Sequence, residues 1–372
     1  MSRCYLDHNA TSPARPEVID AVTAAMVVAG NPSAQHKNGR AANALISDAR
    51  ETVALAMGVC AQDLLFNGGG TEGDNTAVHS VVKAGCKHLL ISSMDHPATI
   101  ITAQSYADVT TELIPVNADG QSDMVWLKTT LDNWDEAKGR PFVSMVAVNS
   151  ETGVIQDCET ATDLVHDAGG FILIDAVQAL GKLPMLYQAD YITVSAHKIG
   201  GPLGVGALYV APNAPYTSLL QGGGQERRRR AGTMNVAGIA GFGAAVKAMG
   251  GLSHVGDIRD AIEADLKAME PELTIFGEAV ERLPNTSFFA IPDLNSMTTM
   301  MALDIEGISV STGTACSSGK VGQSRAVTAM GLTSKAPKGA IRMSLGYTST
   351  MHDAETFLSA WAKIRNHKKR AA

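Results

Sequence analysis

Lys198 sits where a short apolar run, Tyr191 to Val194, gives way to a glycine-rich turn, within Ser195-Ala196-His197-Lys198-Ile199-Gly200-Gly201-Pro202. Twenty-three residues earlier Asp175 closes a second apolar run, Phe171 to Ile174, and Gln178 follows it by one turn. Taken singly, a lysine after a strand is an exposed side chain and an aspartate there is a helix cap. Together they can do imine chemistry. The amine forms a Schiff base with an aldehyde, and the carboxylate keeps a pyridine nitrogen protonated so that the ring accepts electrons. The pattern therefore predicts a site for pyridoxal 5'-phosphate. Ser195 and His197 offer a hydroxyl and an imidazole to a phosphate, Gly200-Gly201 lets the backbone come close, and Gln178 can bond the ring oxygen.

Three further pieces fit that chemistry. Gly68-Gly69-Gly70-Thr71-Glu72-Gly73 reads as a glycine turn opening a helix, whose free N–H groups and dipole favour an anion. Thr233, in Ala231-Gly232-Thr233, offers another phosphate contact, from a partner subunit. His96, in Asp95-His96-Pro97, is placed to stack on the ring and move protons. Alone, each is weak: glycine turns before helices are common, and a lone histidine is more often structural.

The elements that must hold these residues alternate along the chain. Apolar runs at 64–66, 88–93, 111–116, 142–148, 171–174 and 191–194 are separated by helical stretches at about 71–83, 97–107, 123–133 and 159–168. That alternation predicts a mainly parallel sheet covered on both faces. The run at 205–210 follows only a short turn, so it should join antiparallel, making seven strands. Helices are expected over 16–28, 39–57 and 236–249. The C-terminal part reads as short strands near 273–276, 285–291, 308–311 and 340–345, with helices near 255–269, 296–305 and 353–367. The expected fold class is α/β, with a large domain over 15–250 and a smaller α+β domain formed by 1–14 with 251–372.

The 372 residues suffice for a large domain plus a smaller one, and 45% apolar residues suit a soluble globular protein. A formal charge of -7 argues against direct nucleic-acid binding. No run approaches a membrane span, and no signal peptide is apparent. Five cysteines without a CxxC pair fit free thiols in a cytoplasm, and ligand spacings for a resident metal are lacking.

At this level the chain resembles the cysteine desulfurases of the class V aminotransferase family, PLP-dependent transferases of fold type I. The resemblance runs through YLDHNAT at 5–11, GNPSAQH at 30–36, GGGTEGDN at 68–75, DHPA at 95–98, NSETG at 149–153 and DAVQALGK at 175–182. It continues in SAHKIGGPLGVGALYV at 195–210, GGGQE at 222–226, AGTMNV at 231–236, STGTACSSG at 311–319 and IRMSLG at 341–346. It implies that Lys198 is the imine lysine, Asp175 the partner of the ring nitrogen and Gln178 a contact to the ring oxygen. Gly70, Thr71, Ser195 and His197 would bind phosphate with Thr233 donated across a homodimer, and His96 would stack on the ring. Arg342 would clamp the substrate carboxylate, and Cys316 would take sulfur from L-cysteine as a persulfide. An ordinary thiol is only roughly 3% ionised at neutral pH. The neighbours Thr314, Ser317 and Ser318 are uncharged, so activation would come from the substrate complex or His96.

Cys316 resembles the cysteine of a family branch that carries it on a mobile loop and hands sulfur to proteins. An iron–sulfur scaffold or another acceptor protein is the implied partner, with Cys316 as a transient cluster ligand. Two departures matter. The family has two asparagines where this chain has Asn149-Ser150. The second is expected at the cofactor's ring oxygen, and Ser150 is shorter, so Asn149 or water would substitute. The run Arg227-Arg228-Arg229-Arg230 is read either as a solvated charge run or, with the basic tail from Lys363 to Arg370, as a dock for an acidic acceptor. The competing readings are another class V enzyme, a selenocysteine lyase or aminotransferase, and a silent scaffold of the same fold.

Overall fold

The computed structural model describes residues 3–250, 252–313 and 324–371, with side chains described as far as Asn366. Cys316 and its neighbours lie outside the described residues, as do the side chains of the last basic residues of the tail.

The apolar runs form one seven-stranded sheet. Its spatial order is Leu64–Asn67, Gly206–Val210, Tyr191–Ser195, Phe171–Asp175, Phe142–Val146, His88–Ser92 and Thr110–Ile114. Gly206–Val210 runs antiparallel to both its neighbours, and every other pairing is parallel. The expected mainly parallel sheet is present, with its antiparallel strand where the short turn required it. The four consecutive central strands from Tyr191–Ser195 to His88–Ser92 are buried at every position. Helices cover both faces, which is why these strands read as unbroken apolar runs rather than alternating ones.

Helix starts follow capping chemistry. Asp123, Asp157 and Asn235 each accept a hydrogen bond from a first-turn N–H, opening Met124–Asp132, Cys158–Asp167 and Val236–Ala248. His96 does the same for Pro97–Gln104, with proline in the first turn.

The C-terminal region carries a four-stranded antiparallel sheet in the order Ser311–Thr312, Ile341–Ser344, Thr286–Ala290, Thr274–Ile275. Cys4–Tyr5 pairs in parallel with Ile308–Ser309, 304 residues on. Cys4 and Leu6 share an apolar cluster with Ile262, Phe289, Phe357 and Trp361. A separate cluster joins the two sheets: Met94 and Val146 from the large one meet Phe276, Phe288 and Val327. That shared packing sets Arg342, on Ile341–Ser344, against the ends of the large sheet.

Candidate active site

At the carboxyl ends of the parallel strands a cavity of about 350 Å³ opens, within the range of small-molecule sites. Lys198, Asp175, Gln178, Ser195 and His197 all line it, as do Gly70, Thr71, His96, Ser150 and Arg342. The strand register explains the gathering. Val146 pairs with Asp175 and Asp175 with Thr193, so the ends of neighbouring strands are level.

Lys198 belongs to the 3-10 turn Ala196–Ile199, which closes on Gly200 in the left-handed conformation (φ +80°). A side chain at Gly200 would press on the Pro13 carbonyl and on Arg15, both at 2.9 Å. The Lys198 ammonium donates to the carbonyls of Asn9 (2.6 Å) and Ala10 (2.9 Å). Asn9 is buried and unites several parts of the molecule. Its carbonyl also accepts from Gln178 Nε2, and its own amide reaches the Ser150 carbonyl, Thr286 and Asn285.

Asp175 is buried, and its carboxylate accepts from the Val177 N–H at 2.9 Å. Burial raises its pKa, with that hydrogen bond and Lys198 acting the other way. Asp74, also buried beside the cavity, is pushed well up by burial and by the negative charges of Asp175 and Asp95; its Oδ1 lacks a hydrogen-bond partner. Each buried carboxylate makes ionisation of the other less favourable.

Burial and the Lys198 charge push both His96 and His197 down to about 4, so both are neutral at pH 7. His96 Nδ1 accepts from the Ala98 N–H at 3.1 Å, which puts the ring proton on Nε2. His197 Nδ1 lies 3.1 Å from the Thr11 hydroxyl.

Arg342 is held on two sides. One NH2 group donates to Asp7 Oδ1 at 2.7 Å and the other to the Ser150 carbonyl at 3.0 Å, while Nε is buried without a partner. Asn149 is not part of the cavity. Its Nδ2 donates to the Met94 carbonyl, and its Oδ1 accepts from the N–H groups of Glu151 and Thr152. That amide fastens a turn, and Ser150 is the residue of the pair that lines the cavity. Thr233 lines a separate crevice of about 160 Å³ with Gly68, Glu226 and Arg230. The arginine run is largely engaged within the chain. Arg230 pairs with Glu72 at 2.9 Å, Arg229 lies over the Tyr216 ring, and Arg227 donates to the Gln62 carbonyl.

Sequence reasoning missed Asn9, Ala10, Asp7, Asp74 and Lys182. The signal was present in YLDHNAT, in GGGTEGDN and in DAVQALGK, but nothing local shows that residues 7–10 meet 178, 198 and 342.

The donor set suits pyridoxal phosphate. A buried carboxylate, an amine, and a helix starting at Gly70 with hydroxyls around it can meet the ring nitrogen, aldehyde and phosphate. A side chain at Gly70 would come within 2.7 Å of Val177, so the wall there admits only backbone. Among the described residues no group of three or more metal-ligating side chains occurs, and no helix is long and apolar enough to cross a membrane.

Comparison with known proteins agrees with this geometry. Residues 4–357 match the family model Aminotransferase class-V. The chain is 36% identical to a protein of Cereibacter sphaeroides named cysteine desulfurase, over 98% of this chain and 96% of that one. It is 32% identical to one of Dictyoglomus turgidum named cysteine desulfurase IscS, over 97% and 94%. The X-ray structure of a NifS-like protein from Rickettsia africae superposes with a TM-score of 0.88 at 32% identity, covering 98% of this chain and 99% of that one.

Proposed function

This chain belongs to the class-V aminotransferase family, and from that premise we infer that it is a cysteine desulfurase, which takes sulfur from L-cysteine, leaves L-alanine and passes the sulfur on. The observation that carries the reading is the meeting of Lys198, Asp175 and Arg342 in one cavity at the strand ends.

Pyridoxal phosphate, when bound, supplies the electron sink that lets bonds at the substrate Cα and Cβ break. Asp175 would hold its ring nitrogen, Gln178 its ring oxygen, and Thr71, Ser195, His197 and the Gly70 backbone its phosphate. Arg342 would take the substrate carboxylate with its unpartnered Nε and the adjoining N–H groups, a planar fork suited to that anion. Lys198 would take the Cα proton, because the tautomer of His96 leaves no lone pair on Nε2. His96 would instead cover the ring and donate from Nε2. The Cys316 thiolate would attack the substrate sulfur, forming an S–S bond as the Cβ–S bond breaks; the bonding pair stays with carbon, Cβ and Cα take up protons, and the carbon skeleton leaves as alanine.

The same reading includes a homodimer, cytoplasmic location and an iron–sulfur scaffold or other acceptor protein as partner, with Cys316 able to act as a transient cluster ligand. Thr233 lines no part of its own chain's cavity, and Leu203, Leu219 and Leu220 lie exposed in the preceding stretch; both favour a second copy here. The four described cysteines are free thiols, as a reducing compartment requires. The division into 15–250 and 1–14 with 251–372 is supported by the separate apolar cluster around Trp361.

The test is to supply L-cysteine and measure alanine and transferred sulfur. Cys316→Ala should keep the yellow cofactor colour and lose both products. Wild type that leaves cysteine undesulfurated but forms alanine from selenocysteine, or a keto acid by amino transfer, would favour a selenocysteine lyase or aminotransferase instead.

A further inference from the structure

The side-chain amide of Gln178 lies between a donor and an acceptor. Lys182 Nζ donates to Oε1 at 2.9 Å. The Asn9 carbonyl is 2.9 Å from Nε2 and only accepts. The oxygen and nitrogen of an amide are assigned from such neighbours, and here both demand the same assignment. Turning the amide over would set its oxygen against the Asn9 carbonyl and take the acceptor away from Lys182. Gln178 is buried and lines the cavity, so the second N–H of Nε2 is left for a ligand.

Lys182 stands in a crevice with His8, Arg15 and Lys198. Burial, with added repulsion from Lys198 and Arg342, lowers its pKa to about 7, and His8 beside it is neutral, lowered to about 4. Holding a lysine in such surroundings is unfavourable unless its contact matters.

We propose that Lys182 is a positioning residue that holds Gln178 as a donor toward the cavity, so that the ligand's oxygen at that point must accept a hydrogen bond, which favours its ionised form. This rests on the pyridoxal phosphate reading, in which that oxygen is the deprotonated ring hydroxyl. A neutral hydroxyl there would accept a weaker bond. An anion accepts the N–H and also gains from the positive charge behind it.

The experiment compares full-length wild type with Lys182→Met and Lys182→Arg. In cofactor-free protein, side-chain amide hydrogen exchange at Gln178 is followed by NMR, with Gln178→Glu identifying the signal. Lys182→Met should speed that exchange about tenfold, the loss of one charge-assisted hydrogen bond, and Lys182→Arg should restore it. In protein loaded with pyridoxal phosphate, the pH midpoint of the cofactor absorbance should rise by about one unit in Lys182→Met and return in Lys182→Arg. A folded Lys182→Met with both exchange and midpoint unchanged overturns the proposal. Should that variant not fold, Lys182→Gln replaces it, because its amide both donates and accepts and no longer dictates an orientation. Wild type that takes up no cofactor defeats the functional reading alone, and the exchange measurement then decides the role of Lys182.

Discussion

Two short turns near the cavity bear basic side chains, and they are held in opposite ways. The Lys198 turn, Ala196–Ile199, reaches its left-handed exit through Gly200, which has no Cβ to clash. The arginine turn has no glycine where it needs one: Glu226, Arg227 and Arg228 take φ of 43°, 55° and 65°. Left-handed backbone costs an ordinary residue roughly 1–2 kcal/mol. That strain is offset by a buried ion pair in which Arg50 holds both Glu226 oxygens at 2.8 and 2.6 Å while lying over the Phe66 ring. The lysine turn thus places a reactive group with little strain, whereas the arginine turn is a structural clamp. Its charges face inward more than the run of four suggests.

Substitution at each turn should therefore fail in a different assay. Lys198→Ala should cut alanine formation by at least roughly 10²–10⁴-fold, the range for loss of a positioned proton-transfer group, while thermal unfolding changes little. Glu226→Ala should do the reverse. It leaves Arg50 buried and unpaired, and breaking such a pair costs about 3–5 kcal/mol, readable in denaturant unfolding. If Glu226→Ala unfolds like wild type, the clamp description is wrong.

The contrast also explains what was legible in the sequence. The Lys198 turn is local: an apolar strand, a chemical group and glycines lie within ten residues, and Asp175 is level with it because consecutive parallel strands align. The helices over Val255–Met269 and Ser296–Ile305 are similarly local, and their periodicity placed them within a residue. The arginine clamp depends on Arg50, 176 residues before Glu226, and the Asp7–Arg342 pair spans 335 residues. Short-range pattern holds no trace of such contacts. Asn149 shows the same limit: residue type suggests a ligand contact, and only the fold shows that its amide oxygen also fastens the turn at Glu151 and Thr152.

Acid should also separate the turns. His96 and His197 flank Lys198, and burial lowers both below the ordinary imidazole value to about 4. A lowered value means the fold favours the neutral ring. Stability from these groups is present above about pH 6.5 and is lost as pH falls toward 4. Asp95, raised by burial to about 7, works the other way: its contribution is present below about 4 and fades as pH rises through 7. The two trends oppose each other across that window. Asp95→Asn keeps an acceptor for the Val146 N–H and a partner for Ser144, so it should leave the histidine trend alone. Its stability should then rise more steeply from pH 4 to 6.5 than that of wild type. Amide exchange should quicken at 196–199 before it does at 225–228 as pH falls.

The smallest effect should come at Arg228, and it bears on what the arginine run is for. Arg228 is exposed and sits in left-handed backbone, so Arg228→Gly removes strain and should stabilise the fold by about 1 kcal/mol, less the entropy glycine adds to the unfolded chain. A purely structural turn would show that gain and nothing else. A turn that also docks an acidic acceptor would show it together with slower sulfur transfer to that acceptor and an unchanged rate of alanine formation. With Arg227, Arg229 and Arg230 engaged inside the chain, Arg228 is the sharpest place to ask, because changing it disturbs no described partner of the clamp.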